Sequence, residues 1–439
     1  MASDRVDELY SLLTGESEGR VCTDIPETAC ADAPRHFFIH AISLSATKAA
    51  DGLIDPKLVL SWLLTHLGAP TAFVGLLVPI REAGALLPQL FTAASLRALP
   101  RRKWAWAAGS VVQGAMAALM ALAALFLSGV AAGVAILAAL TVLALARSVC
   151  SVTYKDVLGK TVAKSRRGTA TGLASSAAAV AVIAFGLALT VAPVPRDVLV
   201  TGGLFLAGGL WISAALLFST LQEEAGATEG GGNAFKEAKQ HISFLRDDAQ
   251  LRRFIITRGL LTSTALAPPF MVALAGRESE AGSAYGGLGL LVIASAGAAL
   301  LSSYVWGRWS DRSSRQVLIA CGIVGGASLA ATVLARQLGW LSQPLVLPTL
   351  LFCLMIAYQG VRVGRSTHLV DMATQETRAA YTALSNTIIG VLLILGGLFS
   401  GLSAIAGEAA VLATMAGMSG LAAIAALGLE EVQRQGAEP

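Results

Sequence analysis

The chain has 439 residues, 55% of them hydrophobic and 14% charged, with 45 glycines and a formal net charge of +4. A soluble domain of this length carries about a quarter charged residues, so the composition excludes a water-soluble globular protein and marks an integral membrane protein. Ala, Leu, Gly and Val supply the bulk, which suits helices packed through small residues rather than a barrel of alternating strands, and the expected fold class is all-α.

Residues 1–35 lack an apolar core and carry acids throughout, so they read as a cytoplasmic tail and not as a cleaved signal peptide. Cys22, Cys30, His36 and His40 spell C-x7-C-x5-H-x3-H, which matches no common zinc pattern; no metal or other cofactor is expected, and the two histidines read as interfacial. Cys150, Cys321 and Cys353 fall in apolar helices as small buried residues, and no disulfide framework is implied.

Apolar runs of about 20 residues, the length that crosses a bilayer, then recur twelve times. Spans 1 to 6 lie near 37–64, 70–96, 104–128, 130–154, 168–192 and 197–220. Spans 7 to 12 lie near 254–275, 285–308, 315–337, 345–371, 379–405 and 408–429. Residues 36–220 and 251–430 therefore form two six-helix bundles, and 431–439 a short cytoplasmic tail. Between the bundles, 221–250 opens as a flexible TLQEEAGATEGGGN linker. It then turns amphipathic, with Phe235, Ala238, Ile242 and Leu245 at helical spacing, as in a helix lying on the membrane surface.

Loops after even spans hold the basic residues: Arg97, Arg101, Arg102 and Lys103; Lys160, Lys164, Arg166 and Arg167; Arg308, Arg312 and Arg315; and Arg378. Loops after odd spans hold Arg196, Arg277 and Arg336, one apiece. The positive-inside rule puts both termini and the central stretch in the cytoplasm. The halves also echo each other: 100–110 over 313–323 and 166–176 over 377–387 align at offsets of 213 and 211, as expected of a duplicated six-helix unit.

After span 8 the chain reads GRWSDRSSR, and Gly307, Asp311, Arg312 and Arg315 fill positions of the loop signature G-x-x-x-D-[RK]-x-[GS]-[RK]-[RK]. With its six-plus-six topology, the chain resembles the major facilitator superfamily. That resemblance implies alternating access between two bundles, and a conformational latch at these four residues, where glycine lets helices approach and aspartate pairs with a neighbouring cation. The equivalent first-half loop has Ala94 and Ala98 where Gly and Asp would stand. Span 4 carries Arg147 without the family's R-x-x-x-G spacing, having Ser151 instead, and span 5 lacks the G-P pair of proton-coupled drug exporters.

Charges at mid-membrane depth mark the candidate site, because each costs roughly 2.5–3.5 kcal/mol or more at a helix centre. Lys48, Asp51 and Asp55 fall on one face of span 1, whose helix Gly52 and Pro56 interrupt, and transporters build sites at such breaks. The bland reading is a Lys48–Asp51 pair with Asp55 and Lys57 at a watery edge. Arg81 and Glu82 lie roughly 18 Å into span 2 and point about 100° apart, so one is expected at the site and the other at a helix contact. In span 10, Arg362, Arg365, His368 and Asp371 share a stripe that, with Arg147, makes a basic funnel. Arg258 in span 7 joins the cations, and Tyr358, Gln359 and Asn386 add neutral hydrogen bonds.

No phosphate-binding G-x-x-x-x-G-K-[ST] loop is present, so ATP drive is unsupported. The expected function is secondary active transport in the lipid bilayer of a plasma or bacterial inner membrane, by a monomer with no nucleic-acid partner. Lys48, Arg81, Arg147, Arg258, Arg362 and Arg365 outnumber Asp51, Asp55, Glu82 and Asp371. The substrate is therefore expected to be a small organic anion, with a proton carried on Asp51, Asp55 or Glu82. The alternative within transport is a proton-coupled exporter of amphipathic cations. From other classes come a transport-dead receptor and a lipid-modifying enzyme, for which His368 with Asp371 is the only tight acid/base candidate.

Overall fold

The computed structural model describes residues 10–11, 30, 32–88, 95–96, 98–226, 244–278, 287–374 and 377–433, and every regular element among them is helical. Among these residues nine helices are long and apolar enough to cross a membrane. One of them, Gly287–Gln337, has 51 residues; at 1.5 Å per residue it would run about 77 Å, more than twice a hydrocarbon core of about 30 Å. Extended backbone at Ser313 (φ −164°, ψ 95°) divides it into two arms, spans 8 and 9. With spans 1 and 2, which are shorter or broken, the twelve expected spans are accounted for.

Span 1 consists of α1 (Ala33–Leu53) and α2 (Val59–His66). Pro34 opens α1, where its missing N–H costs nothing. Asp55 is disfavoured in a helix because Pro56 follows it. Its carboxylate accepts the Lys57 amide at 2.8 Å, and its carbonyl accepts the amides of Leu58, Val59 and Leu60, which restarts the helix as α2. Gly52 acts differently from expectation: it stays helical, and its missing side chain lets span 5 approach, since a Cβ there would collide with Val182.

Span 2 is α3 (Thr71–Leu86), and spans 3 to 6 are α4 (Lys103–Phe126), α5 (Gly129–Thr161), α6 (Lys164–Val191) and α7 (Arg196–Ser219). Span 4 thus runs a further two turns, which places Lys160 on a helix and leaves only Val162 and Ala163 as the connection. Span 7 is broken into α8 (Ala249–Leu260), α9 (Ser263–Leu266) and α10 (Pro268–Glu278). After α11 (Gly287–Gln337), span 10 is α12 (Val346–Met372), span 11 is α13 (Arg378–Gly396) and α14 (Leu398–Ala406), and span 12 is α15 (Glu408–Leu427).

Spans 1 and 7 open their respective halves, and Pro56 and Pro268, 212 positions apart, stand at a break in each. That spacing falls between the two offsets of the internal echo. Packing repeats too: span 3 lies on span 6 with Gly114 against the Gly208 backbone, and span 9 lies on span 12 with Gly322 against Ser419 and Ala423.

The halves share one apolar core at the end away from the basic loops, where Leu64, Val74 and Leu189 pack with Leu266, Leu288 and Val411. At the basic end the cores are separate. Phe218, Trp106 and Val157 form one in the first half, and Phe254, Leu318 and Tyr381 another in the second. Across the shared end, span 5 meets span 8 through Gly186 and Gly289, and span 2 meets span 11 through Gly75 and Ser400. Apolar side chains such as Phe126, Leu216, Leu301 and Ile405 point outward, the arrangement of a multi-pass protein whose solvent is lipid.

Three expectations change. His36 and His40 are buried at 1% and 0% exposure rather than interfacial, with His40 Nε2 2.8 Å from the Thr161 hydroxyl. The linker does not begin as loose chain: Glu223 is buried, accepting from Lys160 Nζ at 2.9 Å and from the Lys103 amide at 2.7 Å, so it ties the start of span 3 to the end of span 4. Cys30 is disulfide-bonded, while Cys150, Cys321 and Cys353 are free. Cys22, Ala94, Arg97 and the surface-helix residues Phe235, Ala238 and Ile242 lie outside the described residues, as do the side chains of Lys164, Arg277 and Arg378.

Candidate functional site

Span 1 brings its charges to the interior along one face, and Asp51 is the most heavily engaged. Its Oδ1 accepts from Arg81 Nη2 at 2.6 Å and its Oδ2 from Arg147 Nη1, so one carboxylate ties spans 1, 2 and 4. Charge-assisted bonds of this kind are stronger than neutral ones. Lys48 does not hydrogen-bond to Asp51 at i+3; it donates to the Ser175 hydroxyl of span 5. Arg81 therefore pairs within its own half, with span 1.

The break in span 1 turns a lysine inward. Lys57 is only 8% exposed, and its Nζ sits 3.8 Å from the centroid of the Tyr358 ring in span 10. This cation–π contact joins the two halves, and an ammonium removed from water gains more from such a contact than an exposed one. Asp55 and Glu82 are the acids within electrostatic reach of Lys57. Glu82 in turn feels Arg81 on its own span and Arg365 and Arg362 across the interface. Arg362 lies 6.0 Å from the Tyr358 ring and donates to Gln359 at 3.4 Å.

Farther along the second half, Arg258 is buried and donates to Ser385 Oγ at 2.7 Å and to Asn386 Oδ1 at 2.9 Å. The structure thus brings Lys48, Asp51, Asp55, Arg81, Glu82 and Arg147 together with Tyr358, Arg362, Arg365 and Arg258 in one network that crosses between halves. Lys57, Ser175 and Ser385 belong to it and were not among the expected site residues. Lys57 was readable in principle, because an Asp-Pro-Lys break turns a side chain away from the face that helical periodicity predicts.

Solved structures superpose on this architecture. A variant of the nucleoside transporter NupG does so with a TM-score of 0.69 and 15% identity, over 89% of this chain and 99% of that one. A POT family transporter in complex with a thioalcohol-conjugated peptide gives 0.68 and 11%, over 91% and 97%. A D-xylose-proton symporter gives 0.65 and 12%, over 90% and 98%. The chain has the fold of the major facilitator superfamily. No family model and no curated protein matches it in sequence.

Within the major facilitator fold, the signature after span 8 sits on helix up to its break at Ser313. Gly307 faces open space, Asp311 and Arg312 are exposed, and neither of the two charged residues forms an ion pair among the described residues. Arg315 donates to the Leu427 carbonyl at 2.8 Å at the end of span 12. The closer ties here come from neighbouring serines: Ser313 Oγ donates to Glu431 at 2.8 Å, and Ser314 Oγ pairs with His368 Nδ1 at 2.9 Å and with Gln433. Gln433 also donates to Asp371 at 2.8 Å. The span 10 stripe therefore divides: Arg362 and Arg365 face the network, while His368 and Asp371 hold spans 9 and 10 to the segment after span 12.

Proposed function

We propose that the protein is a secondary active transporter working by alternating access, which moves a small organic anion together with a proton. The observation that carries this reading is the charged network between the halves, centred on Lys57 over Tyr358 at the break of span 1. Charges placed at that depth are costly in a structure whose only task is to span, and a network shared by two halves ties ligand binding to their relative position. Cations outnumber acids in it: Lys48, Lys57, Arg81, Arg147, Arg258, Arg362 and Arg365 against Asp51, Asp55 and Glu82.

Of the three acids, Asp51 has both oxygens engaged by guanidinium groups. Asp55 accepts a backbone amide and lies within electrostatic reach of Glu82. A proton on one member of such an acid pair relieves their repulsion. We assign the coupling proton to Asp55, with Glu82 as its partner acid. Separate basic-end cores and a shared core at the other end support a resting arrangement open toward the basic side, which the loop charges make cytoplasmic. Gly307, Asp311, Arg312 and Arg315 are then assigned to a latch formed when that side closes. The whole protein is placed in a plasma or bacterial inner membrane as a monomer.

Proteoliposomes loaded with a pH-sensitive dye test this reading. Imposed gradients of succinate or phosphate are expected to drive proton movement that Asp55→Asn abolishes. Proton movement driven only by amphipathic cations such as tetraphenylphosphonium replaces it with the cation-exporter reading.

A further inference from the structure

In the first half, Arg81, Arg147 and Lys57 have acids against them. Arg81 and Arg147 share Asp51, and Lys57 has Asp55 and Glu82. Arg258 is different. It is 5% exposed, and both hydrogen bonds it makes go to neutral groups of span 11, Ser385 and Asn386. Its Nε has no hydrogen-bond partner. Among the described residues the one charge within its electrostatic reach is another cation, Arg365.

Two neutral acceptors orient a guanidinium without cancelling its charge. A buried cation whose charged neighbour is a second cation is unfavourable unless an opposing charge arrives. An unpaired Nε–H next to a fixed fork is also the geometry that receives a carboxylate or phosphate through two parallel hydrogen bonds. Arg365 lies one turn from Arg362 on span 10 and within electrostatic reach of Glu82 across the interface, so it links this cation pair to the acids of the first half.

We propose that Arg258 and Arg365, framed by Ser385 and Asn386, form the subsite that receives the acidic group of the transported solute, a carboxylate, sulfonate or phosphate on a small molecule. The two halves then divide the work. The first half sets acids against Lys57, Arg81 and Arg147 and carries the proton, and the second half holds the anion. This assignment rests on the reading of the protein as an anion transporter.

The test is thermal melting of the full-length protein in detergent with benzoate, succinate and inorganic phosphate as probes. At least one is expected to stabilise the wild type, with Arg258→Gln weakening its apparent affinity at least about tenfold, or about 1.4 kcal/mol. Asn386→Asp keeps the arginine and sets a carboxylate against its Nη2. That variant is expected to melt higher without any anion and to lose the anion response, a result no folding defect produces. An anion response that survives both Arg258→Gln and Asn386→Asp overturns the subsite and leaves anion transport standing. A wild type that answers none of the three probes, and moves none of them in vesicles, overturns both.

Discussion

Spans 1 and 7 contain the same backbone device with opposite chemistry. Each is a broken helix at the start of its half, with Pro56 in one and Pro268 in the other. The first break is lined by Asp55 and Lys57, and Lys57 reaches Tyr358 in the other half. The second is apolar: Leu266, Ala267, Phe270 and Met271 around it are all buried in the shared core. A break frees backbone carbonyls and permits bending whatever its side chains are. The comparison therefore separates what a break does mechanically from what charge adds. Span 7 is assigned a hinge role, and span 1 a hinge that also senses protonation.

The largest expected effect comes from removing the charge at the first break. Lys57→Gln should lower anion flux about 100-fold, a barrier change of about 2.7 kcal/mol, while anion binding persists; vesicle flux and ligand-dependent melting measure the two separately. Asp51→Asn should destabilise the protein by about 2 kcal/mol, because it leaves the largely buried Arg81 and the partly exposed Arg147 without their counter-ion. Adding Arg147→Gln should recover part of that loss in thermal melts, since Arg81 is then the single cation left unpaired.

Pro268→Ala tests the mechanical half of the comparison. With no charge at this break, straightening it should slow flux roughly tenfold through the conformational step, with unchanged dependence on pH. The same change at Pro56 should alter rate and pH dependence together, because it rebuilds the turn that holds Asp55 and Lys57.

The smallest effect lies at the basic end of span 7. Asp248 caps α8, accepting from the amides of Gln250 and Leu251 and from the Tyr381 hydroxyl at 2.7 Å. Burial works against its charge, but the Tyr381 hydroxyl, the two amides and Arg252 outweigh it and hold the carboxyl below its ordinary 3.8. A carboxyl lowered in the folded state stabilises above its unfolded value and loses that contribution as the pH falls through the native value. Asp248→Ala should therefore cost about 1 kcal/mol near neutral pH. The gap to the wild type should narrow on acidification, as pH-dependent melting reads directly.

Much of this was legible in the sequence, because span length, loop charge and the Asp-Pro break of span 1 are local properties, whereas span 7, broken at Pro268, reads as one continuous run. Most of the charged residues brought together were also legible, since a charge at mid-depth stands out in any apolar run, but Lys57 was not. Pairing was not. Lys48 and Asp51 share a face three residues apart, yet Asp51 is bound by arginines from spans 2 and 4, which lie 30 and 96 positions away in the chain. Lys57 reads as an edge residue until the break at Pro56 redirects it. Glu223 sits in a glycine-rich polar stretch, and nothing local reports that two lysines from other spans will bury it. The signature after span 8 fills positions of the family pattern, but Asp311 and Arg312 are exposed and form no ion pair among the described residues.

The most direct measurement is the ratio of protons to anions moved by the wild type, Asp55→Asn and Pro268→Ala in the same proteoliposomes. Pro268→Ala is expected to move both more slowly at the wild-type ratio, and Asp55→Asn to lose anion-linked proton movement. A wild-type ratio in Asp55→Asn, or a changed ratio in Pro268→Ala, would contradict the assignment of coupling to the charged break.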